Sequence, residues 1–208
     1  MVEPVADFYG MANTTFINVS VMLFFALAPI ASFTAMWLFP KVRLGIILRV
    51  AITIQIFGSF LRMGTFANGE FWPVFVGNLL VASVGPIYTL ASGIFTQAWF
   101  PEKERTLATA LTSIPGAIGV GIAFGMNKFY LTKDYTSIDE VMWNVMYFQN
   151  FMYAIIFVLF MVLFRDKPEH PPTPSSEAPV PVVNSLEGFK LMYTNKNFGL
   201  LAAIFAFK

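Results

Sequence analysis

Five long apolar runs dominate the sequence and leave very few folds open to it. They lie at roughly 17–39, 44–66, 72–99, 106–129 and 143–164, and each is long enough to cross a bilayer, which takes about 20 helical residues. Lipid offers the backbone no hydrogen-bond partner, so a spanning segment must be a helix or part of a closed barrel. Because the runs are uninterrupted and do not alternate between apolar and polar residues, they predict an all-α, polytopic membrane helix bundle.

The composition agrees with a membrane protein whose main partner is the lipid bilayer, and it excludes several other classes. Hydrophobic residues make up 57% of the 208 residues and charged residues only 12%, a balance outside the usual range of soluble domains. The net charge of +1, without a basic stripe, argues against a nucleic-acid partner. The chain has no cysteine, and its one histidine, His170, lies in a Pro-rich stretch, so we predict no metal site and no cofactor. The runs hold no paired carboxylates or nucleophile–base pair, so we predict no enzyme.

Composition also divides the chain into three parts. Residues 1–164 hold the five runs and are predicted to form an N-terminal transmembrane bundle. Residues 165–185 are rich in Pro, Ser and charged residues, which is typical of a flexible linker. Residues 186–208 begin as an amphipathic segment after Ser185, a residue type that favours helix N-caps, and continue into the predicted start of a further transmembrane helix.

The positions of Lys and Arg predict which connectors face the cytoplasm. Basic residues near helix ends concentrate on the cytoplasmic side of membrane proteins. Here one set of ends carries Lys41, Arg43, Arg49, Lys103, Arg105, Arg165, Lys167, Lys190 and Lys196, and the opposite set carries Arg62, Lys128 and Lys133. The connectors 39–43 and 100–105 and the linker 165–185 are therefore predicted to be cytoplasmic, and the loop 131–141 is predicted to lie on the other side.

Four charges occur within the eight residues WFPEKERT, at positions 99–106, between two apolar runs. The cytoplasmic placement makes this segment a hairpin that ends one helix and starts the next. Pro101 suits the first turn of a helix. Glu102 and Glu104 would complement the positive end of that helix.

A glycine-rich run, PGAIGVGIAFG, lies inside the fourth apolar stretch at residues 115–125. A dinucleotide-binding loop follows a strand and opens an amphipathic helix, whereas these glycines lie within a span, so we exclude nucleotide binding. Small residues at i, i+4, the spacing of Gly121 and Gly125, let two transmembrane helices approach closely. The positions predicted to shape or pack helices are Pro86, Pro115, Gly116, Gly119, Gly121 and Gly125.

Uncharged polar side chains inside the spans are the candidates for lining a solute pathway. Tyr88 and Ser92 lie on one helix face beside the Pro86 kink, because residues four apart are neighbours. An aromatic face with hydroxyl acceptors suits an organic cation. The alternative is that these groups only bond neighbouring helices and hold the bundle together. The pathway candidates are Asn78, Tyr88, Thr89, Ser92, Gln149 and Asn150, with Gln55, Ser83 and Gln97 as further polar positions.

Two arginines come close to the second apolar run. Arg49 and Arg62 lie near its two ends, where a long side chain can bend toward the interface and keep its charge in water. We therefore expect both side chains to snorkel out of the hydrocarbon region.

Several short stretches carry a resemblance to a known family. The turn WLFPKVRLG at 37–45 has the position of the loop between helices 2 and 3 in the major facilitator superfamily. Five further stretches narrow the resemblance to one family within that superfamily. They are PVADFYG at 4–10, APIASFTAMWL at 28–38, Gly85-Pro86 followed by WFPEKERTLATAL at 99–111, the glycine run and the tail RDKPEHPPTPSSE. Together these resemble the feline leukemia virus subgroup C receptor-related family, over nearly all of the chain.

The resemblance implies a twelve-helix carrier for a small organic solute, and members are associated with choline, ethanolamine and haem. PVADFYG corresponds to the segment after the family's first helix, so the chain is expected to hold about helices 2 to 6 and the start of helix 7 of an incomplete major facilitator fold. The implied function is secondary transport by alternating access, in the plasma membrane or an endomembrane, with no transport by this fragment alone. The alternative is a non-transporting multi-pass receptor or assembly partner.

Two positions depart from the family pattern. Pro40 stands where the superfamily loop usually carries an Asp that pairs with a base in one gating state. Ala117 aligns with a polar residue that choline-carrying members use in their fifth helix. The second departure argues against choline itself as the solute.

Overall fold

The computed structural model describes residues 8–9, 15–132, 138–166, 168, 190 and 194–200. Their long helices are α1 (Thr15–Leu38), α2 (Leu44–Arg62), α4 (Trp72–Trp99), α5 (Glu102–Thr132) and α6 (Ile138–Leu163), and a single turn, α3 (Thr65–Asn68), lies between α2 and α4. Five segments are long and apolar enough to span a membrane, so the five predicted spans are confirmed. The described residues contain no strand, and the chain is an all-α polytopic bundle, as the resemblance to the major facilitator superfamily implies.

The predicted boundaries beyond the bundle are only partly covered. Most of the linker 165–185, His170 and Ser185 lie outside the described residues, as does most of the predicted amphipathic segment. Residues 196–200 are helical. The division into three parts therefore stays a prediction.

The central helix of the bundle is α4. It packs along both α1 and α2, and α6 packs against α2. By contrast, α5 touches α4 and α6 over short stretches only. Large apolar side chains such as Phe25 and Val162 point outward, as expected where the solvent is lipid rather than water.

The helices α2 and α4 contact each other closely where they cross, at Gly58 and Gly77. A Cβ atom built on Gly58 would lie 2.9 Å from the Leu80 Cβ and 3.0 Å from the Gly77 carbonyl oxygen. A Cβ atom on Gly77 would overlap the Gly58 carbonyl and the side-chain carbons of Arg62. Two glycines are thus needed on facing positions so that the backbones can meet, which is how small residues serve membrane helix pairs.

One end of the bundle gathers the connectors that the basic residues predict to be cytoplasmic. The Arg49 guanidinium lies 3.5 Å from the carbonyl oxygen of Phe164, just after α6. Asp166 places its carboxylate against Gly45, in the first turn of α2, where a negative charge complements the positive helix start. The Phe164 ring also packs 6.1 Å from that of Phe95, near the end of α4. The start of α2 and the ends of α4 and α6 therefore share one end of the bundle; that this end is cytoplasmic stays a prediction.

The opposite end of the bundle is closed by aromatic side chains. Tyr9 packs edge-on against Phe71 at 5.1 Å, and Phe66 packs edge-on against Trp143 at 4.7 Å. Thr65, which is fully buried, donates to the Glu70 carbonyl at 2.7 Å. Its hydroxyl is also hydrogen-bonded to that of Tyr9 at 3.0 Å. These contacts join the segment before α1 to α3, α4 and the start of α6.

The charged hairpin at 99–106 closes α4 and opens α5. Glu102 and Glu104 both lie in the first turn of α5, as predicted. Pro101 lies just before the helix rather than inside its first turn, and its carbonyl accepts from the backbone N–H of Glu104 at 2.9 Å. Arg105 reaches back and donates to the carbonyls of Phe100 and Gln97, at 3.2 and 3.3 Å. The hairpin therefore satisfies backbone groups at the end of α4, which would otherwise lack partners.

Candidate functional site

A cavity of about 300 Å³ lies between α2, α4 and α6. Its size is at the small end of the range of small-molecule sites. Most of its wall is apolar or aromatic, with one amide and two phenols as polar groups. The lining residues are Ile52, Gln55, Ile56, Tyr88, Tyr153, Ile156 and Phe160.

Tyr88 brings a phenol to this cavity from the middle of α4. It lies two residues after Pro86, which α4 carries in its interior and which cannot donate to the carbonyl of Ala82. The Tyr88 hydroxyl is buried and has no hydrogen-bond partner among the described residues. A buried hydroxyl without a partner is costly.

Tyr153 supplies the second phenol, from α6. The side-chain amide of Gln149 donates to the Tyr153 hydroxyl at 3.4 Å, a long bond by the usual geometry. Gln149 is thereby brought to the edge of the cavity, although it does not line it. Asn150 lies one turn before Tyr153 on the same helix, and its amide nitrogen donates to the Met146 carbonyl at 2.8 Å. Its side-chain oxygen is buried and has no partner among the described residues.

The other predicted pathway residues lie away from this cavity. The Ser92 hydroxyl donates to the backbone carbonyl of Thr89 at 2.7 Å, and the Thr89 side chain is exposed. Asn78 is half-buried on the first half of α4. None of these three is among the cavity-lining residues. The structure therefore joins Tyr88 with Gln55 and Tyr153, and does not join it with Ser92; a role for any of them in solute binding stays a prediction.

The predicted packing glycines face open space within the described chain. Outside its own stretch of helix, no atom of the described residues lies within 4 Å of a Cβ built on Gly116, Gly119, Gly121 or Gly125. Pro115 lies inside α5, as Pro86 does inside α4. A role of the α5 glycines in helix packing therefore stays a prediction.

Arg62 packs its stem against a neighbouring helix and is half-buried at the end of α2, so the expectation that its charged head reaches the interface stays a prediction. Its side-chain carbons lie against Gly77 of α4, and its Nε atom is buried without a hydrogen-bond partner among the described residues. The missing side chain of Gly77 leaves the space that the arginine stem occupies. Arg49, in contrast, is exposed near the basic end.

Sequence reasoning missed Tyr153, Phe160 and the Gly58–Gly77 contact. Aromatic residues are frequent throughout the spans, so none of these positions differs from its neighbours in composition. One signal was available for Arg62, because it lies inside the span Leu44–Ala67, whose other charged residue, Arg49, is near its start. An ionisable residue inside a span is a functional-site candidate by default.

Comparison with curated proteins finds transporters. A choline/ethanolamine transporter of Danio rerio is 24% identical over 170 residues, covering 80% of this chain and 34% of the relative. A choline/ethanolamine transporter of Felis catus is 22% identical over 175 residues, covering 82% of this chain and 31% of the relative. A solute carrier family 49 member 4 homolog of Xenopus laevis is 25% identical over 160 residues, covering 70% and 34%.

These similarities extend over most of this chain but over only part of each relative. The chain spans about a third of the length of the three curated relatives. No protein-family model matches it. With five apolar helices and transporters as its relatives, the chain is a multi-pass integral membrane protein. The resemblance predicted from its motifs is confirmed: the chain is related to the feline leukemia virus subgroup C receptor-related and solute carrier family 49 transporters of the major facilitator type.

Proposed function

We propose that this chain forms part of a secondary transporter that carries a small organic amine of the choline or ethanolamine kind by alternating access. The observation that carries the proposal is the aromatic cavity between α2, α4 and α6, with Tyr88, Tyr153 and Phe160 in its wall. Aromatic faces attract organic cations, most strongly where water is excluded. The two relatives named as choline/ethanolamine transporters support the same solute class.

Among the solutes that the family resemblance implies, the volume of the cavity favours the two small amines over haem. A volume of about 300 Å³ suits choline or ethanolamine better than a haem-sized macrocycle, which needs a site toward the upper end of the usual range. Ala117, which aligns with a polar family position, lies on α5 and is exposed. It does not line this cavity, so its apolar side chain leaves the proposed aromatic site intact.

Ligand binding tests the cavity directly, because the lining residues named above belong to this chain. The measurement is equilibrium binding of radiolabelled choline and ethanolamine to the purified chain in detergent. We expect Tyr88→Ala to weaken binding about tenfold, since the ring face is lost, and Tyr88→Phe to change it by less than about threefold. The matched control is Tyr147→Ala, an exposed tyrosine of α6 outside the cavity. Equal losses in the Ala and Phe variants, or none in either, would contradict an aromatic cation site.

Transport is a separate question from binding. Major facilitator carriers move one half of the molecule against the other around a central site, and the relatives are about three times as long as the matched region. We therefore expect proteoliposomes containing this chain alone to show no saturable uptake of choline. Saturable uptake by the 208-residue chain would contradict that expectation.

A further inference from the structure

A groove of about 240 Å³ opens on the surface of α2. It is lined by Arg49, Val50, Thr53 and Ile54, and none of these residues lines the cavity between α2, α4 and α6. Val50 is 54% exposed, and the Thr53 side chain is exposed as well. The Arg49 groove, as we call it, therefore faces the surroundings of the bundle, which for a membrane span are lipid.

A strip of apolar side chains continues along α2 on either side of the groove. Ile46, Val50 and Phe57 are spaced i, i+4 and i+11, which places them on one helix face, and they are 50%, 54% and 62% exposed. The Thr53 hydroxyl donates to the backbone carbonyl of Arg49 at 2.7 Å, so it is satisfied within its own helix. The strip therefore suits an acyl chain.

Arg49 supplies the charge of the groove. A guanidinium has five N–H donors, and the contact that the structure gives to this one is with the Phe164 carbonyl at 3.5 Å, at the outer limit of a hydrogen bond. The Asp166 carboxylate lies against Gly45, one helical turn before Arg49, but no carboxylate of the described residues pairs with Arg49. The guanidinium thus keeps donors for a negatively charged group.

The position of Arg49 along α2 brings its charge to the level of lipid headgroups. The helix begins at Leu44, and five residues correspond to about 7.5 Å along its axis, a distance that a long arginine side chain can span. At the same end, Trp37 is 58% exposed and the Lys41 amine lies 3.3 Å from the centroid of its ring. An exposed tryptophan beside a basic residue is typical of the membrane interface.

We propose that the Arg49 groove binds an anionic phospholipid, with the lipid phosphate on the Arg49 guanidinium and an acyl chain along Ile46, Val50 and Phe57. A guanidinium matches a phosphate with two parallel hydrogen bonds. Lys41 and Arg43, in the connector that leads into α2, add to the attraction. The basic residues predict this end to be cytoplasmic, and the cytoplasmic leaflet is the one that carries anionic lipids. The inference does not depend on which solute the protein carries.

Competition between two phospholipids tests the proposal in the unaltered chain. The purified chain in detergent is incubated with equal amounts of phosphatidylserine and phosphatidylcholine that have identical acyl chains, and the bound lipids are counted by native mass spectrometry. We expect phosphatidylserine to be retained about fivefold or more over phosphatidylcholine, the value of one basic residue at an anionic surface. Equal retention would overturn the proposal. Glycerophosphoserine, the same headgroup without acyl chains, should not displace the lipid at equal concentration; displacement would identify a free-anion site and contradict a lipid site.

Charge variants then locate the preference. Arg49→Gln should lower the ratio of the two retained lipids about fivefold, and Arg49→Lys should keep most of it, because the charge remains. The control is Lys103→Gln, which removes the same charge from an exposed position of the hairpin outside the groove. It should lower the ratio less, since salt screens charges that are far apart. Equal losses in Arg49→Gln and Lys103→Gln would mean that the whole basic end attracts the lipid, and the groove assignment would fail.

Thr53→Trp tests the acyl chain without changing any charge. The new side chain fills the groove at an exposed position, so it should weaken retention of both phospholipids. Choline binding should not change, because Thr53 does not line the cavity. This variant remains informative if the Arg49 variants fold poorly. Unchanged retention of phosphatidylserine in Thr53→Trp would show that no acyl chain lies in the groove and would overturn the proposal.

Discussion

The helices α2 and α5 both carry glycines inside an apolar span, yet α2 is the most buried of the five spans and α5 is the least buried. About 39% of the residues in the α2 span are buried, against 6% in the α5 span. Gly58 of α2 meets the backbone of α4, whereas a Cβ built on a glycine of α5 would meet no described atom within 4 Å outside its own stretch of helix. Large side chains of α5, such as Leu107 and Phe124, are about two-thirds exposed.

The difference shows what a small residue does and does not contribute in a membrane. Lipid tails are as apolar as the side chains, so burial itself does not drive two helices together. A glycine stabilises a pair only where a second surface fits against it, as Gly77 fits Gly58. The glycine spacing on α5 would allow such a contact, but the spacing does not determine which helix packs there.

The strongest test of this comparison introduces the same side chain at both places. Gly77→Leu should destabilise the chain by about 3 kcal/mol or more, because the new side chain overlaps the Gly58 carbonyl and the Arg62 stem and the crossing must open. Gly121→Leu should change stability by less than about 0.5 kcal/mol, as for a surface substitution. Both are measured as thermal unfolding of the purified chain in detergent. Equal effects would show that α5 packs as closely as α2, through a second copy or through contacts beyond those described.

A second test concerns the place where α5 does contact α4. The hydroxyls of Thr96 and Thr109 are hydrogen-bonded across the two helices at 3.1 Å, and Thr96 is fully buried. Thr96→Val keeps the shape but removes this bond, at an expected cost of about 1 kcal/mol. The control is Thr112→Val, an exposed residue whose hydroxyl bonds within its own helix. If the two variants unfold at the same temperature, the hydroxyl pair does not hold α5 in place.

The smallest expected effect lies at the hairpin that leads into α5. Arg105→Gln removes the charged donor to the carbonyls at the end of α4, for which we expect a loss of about 0.5 kcal/mol. Lys103→Gln removes an exposed charge from the same turn and serves as the control. Added salt should lower the stability of the unaltered chain toward that of the Arg105 variant, because exposed charge interactions are screened. An unchanged melting temperature in Arg105→Gln would mean that water satisfies those carbonyls equally well.

The candidate site was predictable in part. Tyr88 was selected from its position near Pro86, and it lines the cavity. Ser92 shares its helix face by spacing, but its hydroxyl bonds to Thr89 of the same helix. Spacing along one helix describes which residues share a face and cannot describe what that face meets. Tyr153 and Gln55 join Tyr88 only because α2, α4 and α6 converge there.

The sequence by itself determined the five spans, their approximate ends and the grouping of their basic connectors at one end. These features follow from local hydropathy and from the need of each backbone segment to satisfy its own hydrogen bonds in lipid. Only the tertiary structure decided that Gly58 and Gly77 form a close contact, that the α5 glycines face open space, and that the stem of Arg62 packs against Gly77 of α4. The physical reason is that helix association in lipid depends on the fit between two particular surfaces. That fit is a property of pairs of faces, and no single stretch of sequence contains both members of a pair.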